Sequence, residues 1–194
     1  MFISHNREKL LNAILYFVEN TNYCNTLKLF KLLNFLDFEH YRQTGVSVTG
    51  LKYEAWKQGP VSRELWNEVC NPKQDFSAVV SVSVVRDELT DVPSRRDFIP
   101  RKRFDQKYFT KRELQTMDRL AFFFRDLTAN QISQYSHTKG MPWSKIYTKN
   151  KQATAVIPYE LALESNKIVE DMPTIDKEEL DYLKEAFAEI DNMK

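Results

Sequence analysis

Glycine is scarce in this chain: Gly45, Gly50, Gly59 and Gly140 are the only four in 194 residues. Loops that cradle phosphate need glycines clustered within a few positions. None can be built here, so nucleotide binding of that type is excluded. Cysteine is scarcer still, and Cys24 and Cys70 form no paired spacing. Together with His5, His40 and His137 they give no metal-ligand pattern, which excludes a zinc-stapled or disulfide-stapled scaffold. No apolar run approaches the roughly 20 residues a spanning helix needs. The start, Met1 to Lys9, turns charged too early for a secretory signal. These absences lead to the expectation of a soluble, cytoplasmic protein with reduced thiols, no membrane contact, no metal and no cofactor.

What is present is enough for a core. At 194 residues the length favours one domain over residues 1–194, with 155–194 as a C-terminal extension. Such a chain buries on the order of 70% of its unfolded surface without staples. Its net charge of +1 argues against a general polyanion binder, yet the charge is unevenly placed. Arg95, Arg96, Arg101, Lys102, Arg103, Lys107, Lys111 and Arg112 face only Asp97 and Asp105 in the same stretch, whereas acids dominate from Glu160 onward. The asymmetry can steer a charged partner; solvated one-signed faces account for it equally.

The patterning predicts a mainly α protein of the α+β kind, with six to seven helices and a small inserted antiparallel sheet of two to three strands. A first helix runs from Arg7 to about Glu19, with Ser4 as its N-cap. A second follows Asn25 or Thr26 and is apolar nearly all round, carrying Leu29, Leu33, Leu36 and His40 on one face, until Gly45 stops it. Leu51 to Trp56 reads as a strand, and Lys57 to Pro60 as a turn with Pro60 or Val61 opening a short helix. Ser77 to Arg86 is β-branched and alternating, hence a strand. Ile99 to Lys107 is a candidate edge strand because of Pro100. Phe109-Thr-Lys-Arg-Glu-Leu114 holds a capping box, Thr110 with Glu113, at the head of a helix. A shorter helix from Thr128 ends at His137, and Gly140-Met-Pro142 breaks the chain before Trp143. Pro173 precedes a last acidic amphipathic helix, Asp176 to about Asp191, with Leu180, Leu183, Phe187 and Ile190 as its stripe.

Asp37 and His40 stand three apart and share a helix face, so the pair invites an acid–base reading. In so apolar a helix the competing reading is structural: the two satisfy buried polar groups or bond the inserted loop. No nucleophile accompanies them. Ser136 and His137 are adjacent on a helix and point in different directions, which leaves His137 with Trp143 as a packing and hydrogen-bonding corner. The second helix is too apolar to serve as a DNA-recognition helix. The basic stretch Arg95–Arg112, interleaved with Phe98, Phe104 and Tyr108, is the better nucleic-acid candidate, against the reading of an edge strand guarded by cations.

The ordered series Lys31-Leu32-Leu33, Asp37-Phe38-Glu39-His40-Tyr41, Thr44-Gly45, Thr49-Gly50-Leu51, Gly59-Pro60-Val61, Ser136-His137 and Pro142-Trp143 resembles the Panacea domain of SocA-like antitoxins. It spans about Leu10 to Tyr147. The resemblance implies a non-catalytic bacterial antitoxin, of the kind also carried by prophages, that neutralises a cognate toxin encoded nearby by direct binding. Delivery of the toxin to the ClpXP protease is a second route the family implies. On this reading Asp37, His40, Tyr41, Gly59, Pro60, His137 and Trp143 are scaffold or a shared polar pocket. Interfaces rest on aromatic and arginine anchors, so Trp56, Trp66, Arg95, Arg96, Arg101 and Arg103 are the candidate toxin contacts, and nucleic acid is not the expected partner. Two alternatives stay open: a small phage-associated hydrolase or nuclease built on Asp37, His40 and His137, and a nucleic-acid-binding module using Arg95–Arg112.

Overall fold

A computed structural model describes residues 6–150, 154–168 and 174–192. Among these the chain forms eight α-helices and two separate two-stranded sheets, so the protein is mainly α with little β. Ser4 and His5 lie outside the described residues.

The fold is organised around its second helix. The first helix, α1 (Asn6–Asn20), buries Leu10, Leu11, Ile14 and Phe17. In α2 (Thr26–Thr44) every side chain from Lys28 to Gln43 is buried, so this helix is the centre of the core rather than one wall of it. Its ends are fixed locally. The Asn25 side chain accepts from the Lys28 N–H, and Gly45 adopts φ 70° while its N–H closes on Tyr41 O. A Cβ at Gly45 would lie 2.8 Å from Leu180 Cδ1. Gly45→Ala therefore combines left-handed strain with a clash and is expected to lower stability by about 2 kcal/mol, measured by urea unfolding.

The first sheet is a tight hairpin, β1 (Glu54–Trp56) with β2 (Gly59–Val61), Trp56 opposite Gly59. Here the expectation is corrected: Pro60 does not open a helix. Lys57 and Gln58 turn the hairpin, Gly59 opens β2 at φ 106°, and helix α3 (Arg63–Cys70) starts only after Ser62, whose side chain caps Leu65 N–H. A further helix, α4 (Gln74–Val79), occupies the front of the predicted strand at 77–86, so β3 begins at Val80 and runs to Arg86. Its partner β4 is Pro93–Pro100, not 99–107. The Asp87 carboxylate accepts from Leu89 and Thr90 N–H and builds the turn between them, a local bond that composition alone does not place.

Helix α5 (Lys111–Phe124) carries the expected capping box, Thr110 with Glu113; a second box, Thr128 with Gln131, opens α6 (Ala129–His137). Pro142 starts α7 (Pro142–Asn150), a helix the pattern did not predict. Chain 154–157 then lies beside β1, with Ile157 N–H donating to Tyr53 O at 2.8 Å. The 3-10 turn Tyr159–Ala162 packs on α2, and α8 (Lys177–Asn192) closes the described chain. Buried Arg42 donates to Ser165 O (2.6 Å) and Asn166 O (2.9 Å), Glu39 Oε1 accepts from Ile168 N–H (3.1 Å), and Ile175 N–H reaches Arg42 O (2.7 Å). The last part of the chain is thus fastened to the central helix by a buried Glu–Arg pair. Leu180 is buried and Leu183 half-buried, while the side chains of Phe187 and Ile190 lie outside the described set.

Candidate functional site

Two polar centres lie along α2, separated by six residues, or about 9 Å of helix rise. The first is Asp37, fully buried. Its Oδ1 accepts from Val48 N–H (2.9 Å) and Thr49 N–H (2.7 Å); its Oδ2 accepts from the Thr49 hydroxyl (2.5 Å) and the Tyr53 phenol (2.7 Å), with Tyr159 at 3.5 Å. One carboxyl group thereby holds the loop after α2 and reaches the C-terminal 3-10 turn. Burial pushes it up to about 6, and the hydrogen bonds from Thr49, Tyr53 and Val48 work in the opposite sense.

His40 does not bond Asp37. Its Nδ1 meets Val46 O at 2.7 Å; a carbonyl only accepts, so Nδ1 carries the proton. Burial lowers its tendency to take a second one. Tyr41 stacks on Tyr159, ring centroids 5.4 Å apart. Asp37 and His40 thus each serve the segment that follows their helix.

The second centre gathers the downstream motif residues. Lys31, fully buried, donates to Pro60 O at 3.0 Å, and burial lowers it to about 7. A Cβ placed on Gly59 would lie 2.5 Å from Lys31 Cε and 2.9 Å from Ser136 Oγ. The glycine is needed because the hairpin lies directly on these two side chains. His137 stacks on Trp143 with centroids 4.0 Å apart, and the Trp143 indole N–H donates to Trp56 O at 2.9 Å. Burial, then the charge of Lys31, lowers the His137 imidazole. The Ser136 hydroxyl donates to Ser133 O (2.8 Å), its own helix's backbone. His137 therefore belongs with Lys31 and the hairpin, while Asp37 and His40 belong with loop 46–53. The three residues of the hydrolase alternative are divided between the two centres.

The candidate contact residues are also divided. Trp56, Trp66, Arg95 and Arg96 line one open groove of about 770 Å³. Trp56 and Trp66 sit 6.2 Å apart, and Phe30 meets Trp66 edge-on at 6.3 Å. The Trp56 indole donates to Glu54, which Arg63 also grips, so this ring is held in place. Arg101 is exposed just beyond β4, and Arg103 lines a different cleft with Lys102, Lys107, Glu8 and Asp75. The basic stretch is not one surface.

Sequence reasoning gave Lys31 no role, and it passed over Tyr53 and Tyr159, the phenols on Asp37, and the Glu39–Arg42 pair. A lysine and an arginine inside an otherwise apolar helical run were the available signal. Among the described residues no group of three or more His, Cys, Asp or Glu is placed to hold a metal ion, and no helix is long and apolar enough to cross a membrane.

The arrangement defines a mainly helical scaffold in which Lys31, Asp37, His40 and Arg42 bond the chain's own backbone, with an aromatic, basic groove outside. Residues 29–144, more than half of the chain and every motif position named above, match the family described as Antitoxin SocA-like, Panacea domain. The chain belongs to that family. No curated protein and no solved structure gives a significant match.

Proposed function

We propose that this protein is a non-enzymatic antitoxin acting in the cytoplasm, where it neutralises a toxin protein encoded beside it by binding it directly. The observation that carries the reading is the groove: Trp56, Trp66, Arg95 and Arg96, three stretches apart in sequence, meet on one surface within the family-matched region. Aromatic and arginine side chains around a concavity are the usual anchors of protein interfaces. The family motif residues Asp37, His40, Tyr41, Gly59, Pro60, His137 and Trp143 build the scaffold that presents it. Asp37, His40 and Trp143 each hydrogen-bond backbone groups of a neighbouring loop or hairpin, which supports a structural role over a catalytic one.

The test is genetic and then physical. The neighbouring gene should arrest growth when expressed alone, co-expression should restore growth, and the two proteins should elute together from a sizing column. A harmless neighbour, or rescue without a complex, overturns the reading. Delivery to ClpXP is separated by repeating the rescue in a strain lacking that protease: occlusion survives there and delivery does not.

A further inference from the structure

The groove's lining specifies what it can hold. Its apolar floor is Phe30, Trp56 and Trp66. Its charged members are Lys57, Arg95 and Arg96, and among the described residues no aspartate or glutamate lines it. Arg95 is engaged by Asp97 at 2.9 Å, whereas Arg96 lies over the Trp66 ring, 5.4 Å from its centroid. Arg96 and Lys57 form no ion pair among the described residues. Thr128, Ala129 and Asn130, at the start of α6, line the same groove. A concavity that is aromatic at its base and positive at its rim favours an occupant with one large apolar side chain flanked by carboxylates.

We infer that this groove binds a short acidic segment of the partner protein, an aromatic or large aliphatic side chain seated against Trp56 and Trp66 with carboxylates on Arg96 and Lys57. Who supplies the segment rests on the antitoxin reading. Its chemistry follows from the groove. Nucleic acid fits less well, because a phosphate backbone requires a track of cations. Of the other basic residues in that stretch, Lys102, Arg103 and Lys107 lie in the other cleft among Glu8, Asp75 and Asp105.

The full chain is titrated with the hexapeptide Glu-Glu-Leu-Phe-Glu-Glu, with Lys-Lys-Leu-Phe-Lys-Lys, and with a single-stranded thymidine dodecamer, following tryptophan emission. Saturable binding of the acidic peptide alone is expected. It should weaken about tenfold or more in Arg96→Glu/Lys57→Glu, and by less than about twofold in Lys102→Glu, a charge reversal outside the groove. Melting curves of each variant confirm folding. Equal response to both peptides, no response to either, or preference for the dodecamer overturns the inference. A dimer in light scattering that Arg96→Glu/Lys57→Glu abolishes assigns the groove to a second copy and also overturns it. The two readings fail separately. A toxin complex that survives Arg96→Glu/Lys57→Glu sinks the groove and spares the antitoxin. Peptide binding by a chain that rescues nothing does the reverse.

Discussion

Asp37→Ala is expected to lower the unfolding free energy by about 4–6 kcal/mol, since each buried donor left without a partner costs about 1–3 kcal/mol. Four donors lose their acceptor at once: the N–H groups of Val48 and Thr49 and the hydroxyls of Thr49 and Tyr53. Relaxation and water entry keep the sum below four full penalties. For a domain of this size that is a drop in melting temperature of about 10–20 °C. At pH 4, where the carboxyl is protonated, Asp37→Asn should cost far less, about 1–2 kcal/mol, because its carbonyl can still receive both amides and the hydroxyls can rotate toward its NH₂. Measured against pH, the two differ further. Burial holds the Asp37 carboxyl at about 6, above its ordinary 3.8, so protonation favours the folded state. That contribution is complete below about pH 4 and is lost as pH rises through 6, a decline of about 3 kcal/mol. The wild-type minus Asp37→Asn difference in urea unfolding from pH 4 to 7 isolates it. A catalytic Asp37 would behave otherwise, with Asn abolishing activity and leaving the stability curve untouched.

The elements legible in the sequence were those whose signal is local. The capping box at Thr110 and Glu113, the Gly45 stop and the apolar wrap of α2 each depend on residues within one or two turns, and each is present as expected. The misplacements share a cause. Pro60 suits a helix start, but Gly59-Pro60-Val61 pairs instead with Glu54–Trp56, because a hairpin lying on Lys31 and Ser136 buries all three residues. The β-branched run from Ser77 enters a helix first, since Phe76 on that turn inserts into the core. Tertiary burial overrode propensity at both places.

The candidate site was legible as residue types and opaque as geometry. That Asp37 and His40 satisfy buried polar groups was among the readings the apolar helix allowed; that these belong to the segment directly after the helix was not specified. That Tyr159, more than 120 positions away, also reaches the carboxyl is a long-range contact with no local signature. The arginines present the same limit in reverse. Arg95 and Arg103 look like one basic run, but β4 carries the first to the groove and the chain beyond it carries the second to a different cleft.

Lys31→Met should stabilise the protein at neutral pH, by about 2–4 kcal/mol, because a buried ammonium with a single neutral acceptor is not compensated for its lost water. Lys31 Nζ donates to Pro60 O and makes no ion pair among the described residues, and the nearest titratable group on α6, His137, brings no negative charge. Burial brings the amine from 10.5 down to about 7. For a base held below its ordinary value the sign is fixed: the penalty on the folded state is full below pH 7 and is relieved as pH rises toward 10.5. The wild type should therefore gain on Lys31→Met through that window, and the two should converge near pH 10 apart from about 1 kcal/mol for the bond to Pro60. Paired urea titrations at pH 6, 7, 8.5 and 10 read this directly. Parallel curves for the two proteins would mean that Lys31 keeps its charge solvated in the fold. A loss of stability in Lys31→Met at pH 7 would mean that the bond under the Gly59–Pro60 hairpin outweighs the burial of its donor.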